Sequence, residues 1–115
     1  MSVSAFATGT QTAVITTEHT LADVNLAGTY TLHVDTINLA AGDVVELRVY
    51  QMVLTAGTRR VCFFTQFHGA QPVEDLIKVS VPISNELTDT GALRFSLKQV
   101  FGTGRDFPFK ILRHA

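Results

Sequence analysis

Tryptophan is absent, cysteine occurs once and proline three times in this 115-residue chain. With Cys62 alone, no intramolecular disulfide can form, so packing and backbone pairing must hold the fold. No apolar run reaches the roughly 18 residues that a membrane-spanning helix needs, so no partner membrane is expected. The start, MSVSAFATGTQTAVITT, lacks a basic leader and a long apolar core, which argues against a secretory signal. The expectation is synthesis in a cytoplasm, where the chain either stays or leaves by a route needing no signal, such as cell lysis. Asn-x-Ser/Thr sequons are also missing, so N-glycosylation is not indicated.

Lysine and arginine are missing from the first 47 residues, which carry five acids: Glu18, Asp23, Asp35, Asp43 and Glu46. From Arg48 onward there are nine Lys or Arg against five acids, so the two parts stand at −5 and +4 although the net charge is only −1. A near-neutral total gives no case for nucleic acid as the main partner. The plain reading of the asymmetry is that the two parts pair within one domain. The sharper one is head-to-tail attraction between copies around a ring.

What the chain has is β-forming residues. At 46% apolar it is not disordered, and its length suits one domain that buries roughly two thirds of its unfolded surface. Residues 1–12 are mostly Ser, Thr, Ala and Gly and predict a mobile N-terminal arm, leaving 13–115 as the folded domain. Thr12–Glu18 predicts a first short strand. Leu21–Ala27 has spacing compatible with one helical turn but is too short to decide. Thr29–Asp35 alternates, with Tyr30, Leu32 and Val34 on one face and Thr31, His33 and Asp35 on the other. Ile77, Val79, Val81 and Ile83 alternate with Lys78, Ser80 and Pro82 and predict an edge strand with the apolar set facing inward. Ala92–Arg113 predicts a second hairpin, with Leu93, Phe95, Leu97 and Phe101 on one face and Phe107, Phe109 and Ile111 on the other arm. A five-residue loop there would set Lys98 opposite Lys110.

The most informative stretch is Asp43–His68, a long hairpin around Thr55-Ala56-Gly57-Thr58. Val45, Leu47 and Val49 alternate with Glu46 and Arg48. At Tyr50 the phase changes, and Tyr50, Met52 and Leu54 fall on the face that held the charges. On the return arm Val61, Phe63 and Phe67 share one face, Cys62 and Phe64 the other. Either a bulge shifts the register near Tyr50, or the distal half is covered on both sides. The predicted subunit interface is therefore Tyr50, Met52, Leu54, Arg59, Arg60, Cys62 and Phe64. About seven or eight short strands with polar turns predict an all-β antiparallel sandwich, with the jelly roll as one form of it and a small β-barrel as the alternative.

His19, His33, His68 and His114 show no HxH or HExxH spacing, so no zinc site or other cofactor is expected. His33 reads as a surface histidine. Cys62, mid-strand between Val61 and Phe63, reads as a small buried hydrophobe rather than an activated thiol. Gly102-Thr103-Gly104-Arg105 lacks the later Gly-Lys of a phosphate loop and reads as a hairpin tip. The basic residues Arg59, Arg60, Lys98, Arg105, Lys110 and Arg113 with nearby phenylalanines sketch a single-strand-binding surface, but the phenylalanines follow core periodicity. No nucleophile elbow is present. The residues thus point to a non-enzymatic protein.

Several phrases taken together carry a family resemblance: Gly28-Thr-Tyr-Thr-Leu, Ala41-Gly-Asp-Val-Val-Glu-Leu-Arg-Val-Tyr, Ile77-Lys-Val-Ser-Val-Pro-Ile, Gly91-Ala-Leu-Arg-Phe-Ser-Leu-Lys and Phe107-Pro-Phe-Lys-Ile-Leu. Over most of residues 28–113 the chain resembles small all-β virion structural proteins of tailed bacteriophages, of the kind that decorate or cement a capsid. The resemblance implies a multi-copy homo-oligomer, a trimer by that likeness, bound to the major capsid protein or another virion protein and located in the virion. A tail or tail-fibre component is the nearest alternative, and a carbohydrate- or nucleic-acid-binding β-module the next. No family site residues carry over.

Overall fold

The computed structural model of the chain describes residues 2–115, with principal extents of 41 × 30 × 19 Å. Nine strands form: β1 (Val3–Thr12), β2 (Glu18–Val24), β3 (Gly28–Asp35), β4 (Val44–Gln51), β5 (Arg60–His68), β6 (Ile77–Val79), β7 (Ile83–Asn85), β8 (Leu93–Phe101) and β9 (Asp106–His114). Among the described residues one 3-10 turn, Val73–Asp75, lies between β5 and β6. All strand pairings are antiparallel. One sheet has the order β1-β9-β3-β6, with β7 also on β3; the other has the order β2-β8-β4-β5. The chain winds from one sheet to the other and back, and β6 and β7 act as one broken edge strand. That order makes the sandwich a jelly roll.

The core lies between the sheets and is built from strict alternation. Tyr30, Leu32 and Val34 from β3, Val45, Leu47 and Val49 from β4, Phe95 and Leu97 from β8, and Phe107 and Ile111 from β9 are all buried. Each such side chain contributes about 1.5–3 kcal/mol of burial. Tyr30 packs edge-on against Phe6 at 5.5 Å between centroids, and its hydroxyl donates to the Leu26 carbonyl at 2.6 Å. A buried phenol is acceptable there because its polar tip is satisfied.

Five expectations need correction. Residues 3–12, expected as a mobile arm, pair as β1 along β9, and Phe6 and Ala7 pack against the core. The predicted strand at Thr12–Glu18 is instead the link into β2, and the ambiguous Leu21–Ala27 stretch belongs largely to β2. The terminal hairpin does not exist as a pair. Both its arms meet one core, but from opposite sheets, so Lys98 stands opposite Glu18 and Glu46 rather than Lys110. Phe101 is 65% exposed, because a register shift between Val44 and Val45 turns it out of phase with Phe95 and Leu97.

The fifth correction inverts β6. Lys78 and Ser80 face inward, while Ile77, Val79 and Val81 lie exposed. The polar pair is satisfied locally. Lys78 Nζ binds Asp75 at 2.9 Å and lies 4.7 Å from the Phe67 ring centroid. Ser80 Oγ accepts from Leu32 N and donates to the Val81 carbonyl, both at 2.9 Å. The phase then resets at Pro82, so that Ile83 is buried.

The turn between β8 and β9 is braced by two buried polar residues. Gln99 donates to the carbonyls of Phe101 and Thr103 at 3.0 and 2.8 Å and accepts from Arg105 N at 3.0 Å. Asp43, 1% exposed, accepts from Ala40 N (2.9 Å), Thr103 N (3.1 Å) and Arg105 Nε (2.7 Å). Burial alone would raise the Asp43 carboxyl, but Arg105 and the two backbone donors outweigh it and hold its pKa below the ordinary value. Gly102 adopts φ +94° there, and a Cβ on it would collide with the Asp43 side chain.

Candidate functional site

The β4–β5 pairing carries a register shift between Val49 and Tyr50, so Tyr50 stands opposite Val61 and Cys62 is the extra residue. The bulge that the phase change suggests is present. Tyr50 keeps the outward phase of Glu46 and Arg48 and stands beside Arg94 of β8 on the solvent face of the β2-β8-β4-β5 sheet, while the bulge itself lies in β5 and turns Val61 outward. The loop Met52–Arg59 then folds back over that face. Together they enclose a cleft of about 680 Å³ lined by Glu18, Tyr50, Met52, Arg59 and Arg94 with threonines around them.

The charged groups of this face are paired with one another. Arg94 grips Asp23 with two bonds, Nε to Oδ1 at 2.7 Å and Nη2 to Oδ2 at 3.1 Å. That bond, with the charges of Arg94 and Arg59, lowers the Asp23 pKa, and it raises that of Arg94. Glu18 Oε2 accepts from Tyr50 OH at 2.6 Å and Ser96 Oγ at 2.7 Å. Its partial burial would raise its pKa, yet these bonds and the charges of Arg48 and Lys98 bring it down. The Tyr50 phenol moves up, first through desolvation and then through its Glu18 partner. Every shifted group in the cleft therefore moves away from neutrality, which is the wrong direction for acid–base work at neutral pH. Among the described residues no group of three or more His, Cys, Asp or Glu is placed to hold a metal ion.

The residues marked out in the sequence do not form one patch. Tyr50 and Met52 line the cleft. Arg59 donates to the Gly91 carbonyl at 3.3 Å and lies 3.8 Å from Asp23. Leu54 projects at the tip, 73% exposed, next to Val53 at 77%. Arg60 is exposed and makes no ion pair among the described residues. Phe64 lies half-exposed under the Arg48 guanidinium, 4.8 Å from centroid to Cζ. Arg48 binds Glu46 at 2.8 Å while its Nη1 is buried without a hydrogen-bond partner, a cost the Phe64 ring face partly offsets. Cys62, expected to be buried, is exposed at the bulge, and partial desolvation raises its thiol pKa rather than activating it.

His33 sits partly covered on its strand, with Nε2 3.0 Å from Thr31 Oγ1. Desolvation, then the charges of Lys110 and His114, lower its pKa and keep it neutral at pH 7.

Sequence reasoning missed a second apolar surface. Ile77, Val79 and Val81 line the outside of the β6 edge, and Ile37 and Val73 stand exposed beside its start. The signal was present in Pro82, which breaks the strand and permits a phase change, and in Asp75, three residues before Lys78 and able to pair with it. Comparison with protein-family models, with curated proteins and with solved structures finds no match for this chain.

Proposed function

We propose that this protein is a non-enzymatic structural component of a bacteriophage virion, one that decorates or cements the capsid by binding the major capsid protein as a homo-oligomer. The observation that carries this reading is the amount of apolar surface left in water. Thirteen large hydrophobic side chains are exposed among the described residues, and seven of them sit in two places: Val53 and Leu54 at the β4–β5 tip, and Ile37, Val73, Ile77, Val79 and Val81 along the β6 edge. Contiguous exposed apolar surface on a small soluble domain marks a contact with another macromolecule. Jelly rolls serve as viral capsid domains, and also as lectins and cupins. The mutual pairing of the cleft's charges favours the structural role over the ligand-binding ones. A place in the tail would use the same fold with a different neighbour.

The test is to mix purified chain with undecorated phage shells and sediment them. The reading predicts that the chain pellets with the shells, saturably and in a fixed ratio to the major capsid protein. A chain that stays in the supernatant at saturating concentration, and binds no tail either, would contradict it.

A further inference from the structure

We propose that copies of this chain join head to tail, with the Val53–Leu54 knob of one copy seated in the hollow between Ile37, Val73 and Ile77 of the next. The inference rests on the homo-oligomer reading above and specifies which two surfaces meet. The knob is exposed yet held. Asp89 accepts from Thr55 Oγ1 at 2.7 Å and Ala56 N at 2.8 Å, and Met52 N donates to the Ala92 carbonyl at 2.9 Å. A loop fixed in this way loses little entropy on docking. The hollow, of about 430 Å³, is also preformed. Thr36 donates to the Leu76 carbonyl from both its N (3.0 Å) and its Oγ1 (2.6 Å), which pins the β3–β4 link to the 3-10 turn beside it.

Position and charge then choose the partner. The hollow lies where the chain enters β4, and the knob where it leaves. Eight strand residues separate them, about 26 Å at the usual rise. Neither surface can reach the other within one copy. Acids rim the hollow: Asp35, Glu74 and Asp75, of which Glu74 has no partner among the described residues. Arginines flank the knob: Arg59, turned toward Asp23, and Arg60, unpaired. Asp89, the acid at the knob, is occupied by the loop's own donors. An apolar knob with a basic flank fits an apolar hollow with an acidic rim, and both are present on the same molecule. A contact between two different surfaces closes into a ring when its rotation allows, and otherwise grows as a filament.

Charge reversal of the full chain tests this by sedimentation equilibrium. Arg60→Glu and Glu74→Arg each alter an exposed side chain, so thermal unfolding of the variants serves only to confirm that they fold. Each single reversal is expected to weaken self-association about tenfold or more, and the chain carrying both to recover most of the loss. Leu54→Ser, which takes the larger apolar side chain off the knob without changing charge, should weaken it in both backgrounds. A double variant as weak as the singles, or an Arg60→Glu chain that associates as tightly as the parent, would overturn the head-to-tail contact while leaving the homo-oligomer in place. A parent chain that is monomeric throughout would overturn both.

Discussion

Replacing Asp43 by alanine is the sharpest probe of what holds the loop end of the sandwich. The carboxylate is 1% exposed and ties two loops together, since its acceptors take Ala40 N, Thr103 N and Arg105 Nε. Alanine leaves two backbone donors without partners at about 1–2 kcal/mol each. The Arg105 side chain is about one third exposed, so water rehydrates its charge and the lost pair itself adds about 1 kcal/mol or less. The expected loss is thus about 2–5 kcal/mol, or roughly 10–20 °C in Tm for a domain of this size. Urea unfolding followed by far-UV circular dichroism, at one fixed protein concentration, measures it.

The pH dependence supplies a second arm. The folded-state pKa of Asp43 is lowered, so its contribution is complete above the unfolded value of about 3.9 and is lost as pH falls through the folded pKa. The stability gap between the parent and Asp43→Asn should therefore shrink as pH drops below about 4. A loss under about 0.5 kcal/mol for the alanine variant at neutral pH, or a gap that is flat down the acid limb, would refute the bracing role.

Gly102→Ala should cost about 2–4 kcal/mol, because its Cβ meets Asp43, whereas Gly42→Ala, with φ +87° and nothing nearby, should cost only about 1–2 kcal/mol; comparing their urea midpoints isolates the close approach from the backbone preference. Val79→Lys should stay within about 0.5 kcal/mol of the parent, since Val79 is exposed, and a collapse in stability would restore the inward-facing assignment that the strand pattern suggests. Phe95→Ala should lose about 3–5 kcal/mol and Phe64→Ala under about 1 kcal/mol, both read by thermal melting, because the first ring is wholly buried and the second only rests against Arg48. Tyr50→Phe should let the Glu18 carboxyl titrate at higher pH, as seen by carbon-detected NMR, because the phenol donates to the carboxylate.

Alternation made β3 and the first half of β4 legible, because each buries one face and period two survives without interruption from Thr29 to Asp35 and from Val45 to Val49. It failed where the pairing register shifts. The bulge at Cys62 and the offset at Val44 move Val61 and Phe101 from the apolar set to the surface, and a single chain gives no count of residues on the opposing strand. It failed again at β6, where Lys78 and Ser80 point inward because Phe67, Asp75, Leu32 and Val81 supply partners from four separate places. The last two strands show the same limit at the level of topology. Adjacent arms with a tight glycine turn look like a hairpin, yet the partners of β8 and β9 are β2, β4, β1 and β3, all earlier in the chain. For the candidate site, the exposed tip was readable from Leu54 and the arginines after it. Its counterpart beside Ile37 and Val73 was not, since it is assembled from two loops some 35 residues apart, roughly a third of the chain.

Side chains such as Leu54, Val73 and Val79 are proposed to be covered by other protein when the molecule is at work. Sedimentation equilibrium of the unmodified chain across a wide concentration range addresses that claim without reference to any partner. The account predicts a mass that rises to a fixed multiple of 12.5 kDa, and falls back toward one chain at high salt as the rim charges are screened. A constant 12.5 kDa at every concentration and low salt would contradict it.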